Sequence, residues 1–169
     1  MTMFRLSCVA AAAALLVACG GSDDSVRGEL IDPPAVVTTL TAAQIDATTA
    51  ASGLQALSGK AKCDVKVVAL NYRTPGAKEG EMSNASGVML VPGGMCSSAA
   101  PLVANARGTE VLKTRTLANP QDGETFLLAA MYAAQGYAVV ATDYLGYAKS
   151  TYAFHPYLHA DSQATAIID

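Results

Sequence analysis

The chain has 169 residues, of which 51% are apolar and 15% charged, and its formal net charge is −3. That apolar share excludes wholesale disorder, and eleven scattered basic residues set among fourteen acidic ones exclude the basic stripe that nucleic-acid binding requires. The length suits one domain with a core and falls short of two.

The first stretch reads as an address label. Met1–Ser7 carries Arg5 and no acid, and Cys8–Ala18 is an unbroken, alanine-rich apolar run. That run is shorter than the roughly 20 residues needed to cross a bilayer, and with its basic start and small closing residues it fits a secretory signal peptide over residues 1–18. Leu16-Val17-Ala18-Cys19, followed by Gly20, resembles a bacterial lipobox, in which the chain is cut before the cysteine and the thiol is acylated. The resemblance implies lipidation at Cys19 and contact with a membrane through that lipid. It also implies export to the bacterial envelope, on the outer-membrane side because residue 20 is not aspartate; plain secretion is the other outcome. Gly20–Pro34 is polar, rich in Gly and Pro and without period. It is expected to be a flexible tether, so the lipidated N-terminus and tether are assigned to 19–38 and the folded domain to 39–169.

Thr41-Ala-Ala-Gln44 has the spacing of a capping box, predicting a helix from there to about Leu57. Asp64–Tyr72 and Ser86–Val91 are β-rich and flank the turn-rich Pro75–Gly80, which predicts an antiparallel hairpin. Folded about Glu79–Gly80, the hairpin sets Val68 opposite Val91 and Leu70 opposite Met89. The same register places Cys63 opposite Cys96. With Cys19 acylated and Cys8 removed, these two are the remaining pair in an oxidising compartment, and a Cys63–Cys96 disulfide is expected.

Pro101–Ala106 is a short apolar strand leading into Arg107-Gly108-Thr109-Glu110, and Val111–Asp122 is an aperiodic loop. Glu124–Gln135 is a helix with an apolar face at Phe126, Leu127, Ala130, Met131 and Ala134, and Gly136 is its stop signal. Tyr137–Thr142 is near-continuously apolar, as in a strand covered on both faces. It is expected to leave an open edge with no charge or proline to blunt it. Asp161 or Ser162 then caps a last helix. The order is helix, antiparallel hairpin, strand, helix, strand, helix. A short strand–helix–strand unit implies parallel neighbours, so the fold class is α/β with an antiparallel pair leading into parallel strands.

Three runs now stand together: Ala104–Glu110 (ANARGTE), residues 129–147 (AAMYAAQGYAVVATDYLGY) and His155-Pro-Tyr-Leu158. Over roughly residues 40–169 they resemble the secretory-lipase branch of the α/β-hydrolases. The resemblance implies a lipase or esterase acting on an ester or lipid substrate through a serine, a histidine and an acid, with no cofactor and no metal. It further implies that Gly108 and Thr109 supply backbone amides to an oxyanion hole, where relatives read His-Gly-Thr and this chain has Arg107 in place of the histidine. The plainer alternative is a strand-to-loop turn that uses Gly108 for its dihedral, with Arg107 paired to Glu110.

Asp143 ends a strand and is expected to cap the loop after it by binding nearby N–H groups, instead of serving as a triad acid. His155 and His159 lie four apart, but Pro156 removes His155 from helical geometry, so a metal pair is not expected. Tyr144, Tyr147, Tyr152, Phe154 and Tyr157 suit either an acyl pocket or loop filling. These 169 residues contain no Gly-x-Ser-x-Gly: the only glycines with that spacing, Gly76 and Gly80, flank Lys78. The nucleophile, acid and base are therefore expected outside the chain, which ends about two turns into a predicted helix with no stop signal. Taken alone it is expected to be inactive. The competing reading is a non-catalytic lipoprotein that serves as a binding or interaction module.

Overall fold

The computed structural model describes residues 26–96 and 98–169. Cys19 and the predicted signal peptide lie outside them. The core is a five-stranded sheet in the order β1-β2-β3-β5-β4. Its strands are β1 (Ala35–Leu40), β2 (Asp64–Pro75), β3 (Met82–Gly93), β4 (Leu102–Asn105) and β5 (Ala138–Thr142). Helices α1 (Ala42–Ser52), α2 (Gln55–Ser58), α3 (Gly123–Met131) and α4 (Ala160–Ile168) complete the chain. The pairs β1–β2, β2–β3 and β3–β5 are antiparallel, and β4 pairs with β5 in parallel. The expected α/β architecture is therefore present.

Local chemistry accounts for the helices. Thr41 Oγ1 accepts from Gln44 N–H while the Gln44 side chain accepts from Thr41 N–H, completing the capping box. Gly53 breaks the predicted helix at φ 77° and a second short helix, α2, resumes beyond it. Asp122 caps α3 through Glu124 and Thr125 N–H, and Gly136 at φ 101° stops the 3₁₀ turn that follows.

The hairpin register differs by two residues from expectation. Val68 faces Met89, Lys66 faces Val91 and Leu70 faces Gly87. A two-residue shift keeps every side chain on its expected face, so the alternating pattern cannot distinguish the two registers; turn geometry decides. The turn closes with Gly76 N–H donating to Glu81 carbonyl and Glu81 N–H to Lys78 carbonyl. Cys63 still reaches Cys96, because the 3₁₀ turn Gly94–Cys96 folds back past the last ladder pair, Asp64–Gly93. The disulfide is formed, with the Cα atoms 5.5 Å apart.

The tether expected to extend to residue 38 joins the sheet well before that point. β1 pairs along β2, with an irregularity between Val36 and Thr38. Further out, Gly28 N–H donates to Arg73 carbonyl and Ile31 N–H to Asn71 carbonyl. The contacts that fix this segment are backbone hydrogen bonds along an otherwise open edge, with polar side-chain contacts such as Glu29–Arg73 and Asp32–Asn71 beside them, and they leave no apolar period to read. The expected open edge also moves. β5 lies between β3 and β4, so β4, not Tyr137–Thr142, is the outer strand.

One face of the sheet packs Val65, Val67, Val88, Leu90 and Val139 against Ile45 of α1 and Leu128, Ala129 and Ala130 of α3. The buried face of α3 thus centres on Thr125, Leu128, Ala129 and Ala130, while Leu127, expected inside, is exposed. An apolar run of this kind has no polar side to orient it, and close packing selects the small-residue side. On the opposite face α4 sets Ala166 against Tyr72 and Ala85. Its cap is neither Asp161 nor Ser162: His159 Nδ1 accepts from Ser162 N–H at 3.2 Å. Tyr72 OH reaches both Thr142 Oγ1 and the Ala166 carbonyl, tying α4 to the sheet.

The disulfide closes a loop with a sequence separation of 33. Its removal in C63S/C96S is expected to lower unfolding free energy by about 4 kcal/mol on the chain-entropy estimate. Urea denaturation of the variant beside the oxidised parent checks this, and midpoints that coincide would contradict it.

Candidate functional site

Two loops meet where β4 and β5 end side by side. β4 stops at Asn105, and Arg107-Gly108-Thr109-Glu110 leads away from its C-terminal end. Gly108 and Thr109 are exposed, and neither N–H donates a hydrogen bond within the described residues. A Cβ placed on Gly108 would touch nothing within 4 Å, and its φ lies outside the left-handed region. Neither backbone conformation nor neighbouring protein atoms require glycine there.

Arg107 is the opposite case. Its side chain is 0% exposed, with Nη2 3.1 Å from Glu110 Oε2 and Nη1 3.7 Å from Asp143 Oδ1. The second separation allows attraction between charges but is too long for a hydrogen bond. Asp143 is itself fully buried and accepts from Ser86 Oγ at 2.7 Å, Thr116 Oγ1 at 2.9 Å and Leu117 N–H at 2.7 Å.

After Asp143 the chain turns sharply, with Tyr144 at φ 69° and Gly146 at φ 82°. A Cβ on Gly146 would lie 2.4 Å from His155 N and from Phe154 C, so here glycine is required on both counts. The close approach brings His155 Nδ1 within 2.9 Å of the Leu145 carbonyl and its ring 4.8 Å from that of Tyr147. Tyr147 OH donates to the Glu110 carbonyl, joining this turn to the first loop. Burial pushes the Tyr144 and Tyr147 hydroxyls above the ordinary phenol range, so both remain protonated donors. Between the loops lies a cavity of about 210 Å³, lined among others by Gly108, Thr109, Tyr144, Tyr147, His155 and Tyr157.

Glu110 is the hub of the first loop. Its carboxylate accepts from Arg107 and Arg115 and from Val111 and Leu112 N–H. The Arg115 hydrogen bond, then those backbone donors, hold its pKa down to about 2. Arg115 also binds Asp122, the cap of α3, at 2.7 Å and depresses that carboxyl as well. The loop after β4 is thereby tied to the helix that follows it.

No protein-family model matches the sequence, and no curated protein does. Solved structures do. The ligand-bound rice cell wall degrading esterase LipA from Xanthomonas oryzae is 40% identical and superposes with a TM-score of 0.74, the match covering 85% of this chain and 36% of that one. Part of an α/β-hydrolase fold is therefore present here. A second LipA structure gives 41% identity, a TM-score of 0.72 and 84% and 35% of the two chains. A protein from Legionella pneumophila, provisionally described as a hydrolase, superposes with a TM-score of 0.68 over 83% of this chain and 38% of its own. At 19% identity it speaks for the fold alone. The chain thus spans little more than a third of the solved chains it matches.

Within this hydrolase fold the sequence-predicted residues separate clearly. Gly108 and Thr109 stand at the cavity. Arg107 pairs with Glu110, as the plainer reading expected, but the companion explanation of Gly108 by its dihedral does not hold. Asp143 is a structural carboxylate, as expected, but it does not cap the loop after its own strand: its partners are Ser86 on β3 and Thr116 and Leu117 on the loop before α3. Tyr144, Tyr147 and Tyr157 line the cavity, whereas Tyr152 binds Glu81 at the hairpin turn and stacks near Phe154. His155 and His159 are engaged separately, and no cluster of three or more potential metal ligands occurs among the described residues. The hub of Glu110, Arg115 and Asp122 was not anticipated. Its only trace in the sequence is three charges in a loop without period.

The fold holds Glu110 at about 2 against an ordinary 4.5, so its contribution is fully present above pH 4.5 and is lost as pH falls towards 2. Asp122 shifts in the same direction. The thermal midpoint followed by circular dichroism is expected to drop through that acid window. E110Q should show a shallower drop, and identical acid profiles would contradict the assignment.

Proposed function

We propose that this chain is the N-terminal part of an exported serine hydrolase of carboxylic esters, in which Gly108 and Thr109 supply the oxyanion hole. The observation that carries the reading is the bare Gly108: a glycine demanded neither by φ nor by packing, beside two amide protons with no partner within the described residues. Such amides, fixed beyond the end of a parallel strand, are suited to the negative oxygen of a tetrahedral intermediate, and the missing side chain lets an acyl group come close. The likeness to an esterase at 40% identity supports an ester as substrate class. Tyr144, Tyr147 and Tyr157 would form one wall for its acyl or alkoxy part.

On this reading the serine, histidine and acid come from residues beyond these 169, and the chain alone does not turn over. Lipid attachment at Cys19 would hold the enzyme on the bacterial envelope. No helix among the described residues is long and apolar enough to cross a membrane.

Extending the reading frame past codon 169 tests the proposal first: a Gly-x-Ser-x-Gly within a few tens of residues supports it. In an extended, active protein G108A is expected to fold with unchanged stability, since its Cβ meets no protein atom. It should nevertheless lower kcat for p-nitrophenyl esters, because the added methyl crowds the approaching acyl group while both amide donors are retained. Full activity in G108A would overturn the assignment. The lipid is tested separately by intact mass: the mature protein should begin at an acylated Cys19, and C19A should be released without acyl mass.

A further inference from the structure

The guanidinium of Arg107 is buried with fewer partners than its five donors require. Nη2 meets Glu110, but Nε and Nη1 make no hydrogen bond among the described residues. A buried ion pair kept for stability alone would satisfy those donors, since each unpaired one carries a desolvation cost. What the position provides instead is reach. Glu110 belongs to the loop after β4 and Asp143 to the turn after β5, and Arg107 faces both carboxylates at once, at 3.1 and 3.7 Å. Without a cation between them, the buried Asp143 and the half-buried Glu110 would oppose the closure of these loops as like charges. The Tyr147 ring centroid lies 5.9 Å from the guanidinium carbon, and the hydroxyl of the same tyrosine holds the Glu110 carbonyl. The peptide bearing the Gly108 and Thr109 amides is thus gripped on both sides, while those amides themselves touch no partner.

We propose that Arg107 is a positioning residue that fixes the Gly108–Thr109 amides by bridging Glu110 and Asp143 across the two loops. The purpose of the clamp rests on the oxyanion reading above; the clamp itself does not. Lysine, with one compact ammonium, cannot face both carboxylates as the planar fork does. Asp143 keeps the Ser86 and Thr116 hydroxyls whatever occupies position 107, so the strand ends should persist when the bridge is lost.

The test compares the folded chain with R107K and R107Q by NMR. Hydrogen exchange at Val111 and Leu112, whose amides bind Glu110, and at Leu117, whose amide binds Asp143, is expected to accelerate about tenfold or more in R107Q. R107K should fall between R107Q and the parent. Amides of β2 and β3 should keep the parent rates, and order parameters at Gly108 and Thr109 should fall from the rigid range of about 0.85 towards 0.6. A residue of merely global importance would accelerate all amides together. If R107Q unfolds, R107K carries the comparison. Parent-like exchange and order at 108–117 in the folded variants, or uniform acceleration across the sheet in R107K, overturns the proposal. Titration with butylphosphonate, a tetrahedral oxyanion, separates the two readings. Shifts at Gly108 and Thr109 in the parent that are lost in R107Q support both. Local loosening in the variants with no phosphonate response in the parent leaves the clamp standing and removes the oxyanion hole.

Discussion

The candidate site depends on one buried carboxylate. Asp143 stands where β5 ends, with no solvent around it, and a charge so placed requires donors from every side. The hydrogen-bond donors come from Ser86 on β3 and from Thr116 and Leu117 on the loop between β4 and α3. Arg107, at the start of that same loop, adds charge attraction without a hydrogen bond. Satisfying the one charge therefore fixes β3, the loop between β4 and α3 and the end of β5 relative to each other. The backbone bends sharply just beyond it, through Tyr144 and Gly146, and a network of this kind is what holds such a bend in place.

From that centre the order extends outward by short steps. Leu117, placed by Asp143, passes its carbonyl to Thr125 of α3 at 2.7 Å. Asp122, which caps the same helix, returns through Arg115 to Glu110. A seventeen-residue connection between β4 and α3 would ordinarily be a mobile loop. Here it contains neither helix nor strand but is tied by charge-assisted hydrogen bonds, which are shorter and stronger than neutral ones. The fold thus holds a wide irregular segment rigid beside the parallel strand ends, where a pocket is useful.

Much of this architecture was legible from side-chain pattern. Thr41 and Gln44 marked a helix start, Gly136 its counterpart's end, and alternation along Asp64–Tyr72 and Ser86–Val91 marked the hairpin. What escaped was whatever the pattern does not encode. A two-residue slip leaves the faces of β2 and β3 unchanged, so the register lay in the turn. β1 and the Gly28–Ile31 stretch are held by backbone groups that any sequence possesses. α3 is apolar nearly all round, so its periodicity gave no direction. At the site, Gly108 and Thr109 were found by resemblance to a family. The charges that brace them, Glu110, Arg115 and Asp122, interact at separations that no local rule anticipates.

The anchoring of the first described residues has a geometric consequence for what precedes them. Gly28 pairs with Arg73 near the hairpin turn, and Arg27 binds Asp169 at 2.7 Å. Because β3 runs antiparallel to both β2 and β5, this is the same end of the sheet at which β4 and β5 deliver the site, and the disulfide marks the other end. Eight peptide steps separate Arg27 from Cys19, a fully extended span of at most about 28 Å. A lipid on Cys19 would therefore be a short leash fastened at the end of the sheet that holds the candidate site. It would keep the pocket within a few nanometres of the bilayer surface and limit its ligands to whatever can diffuse into that gap.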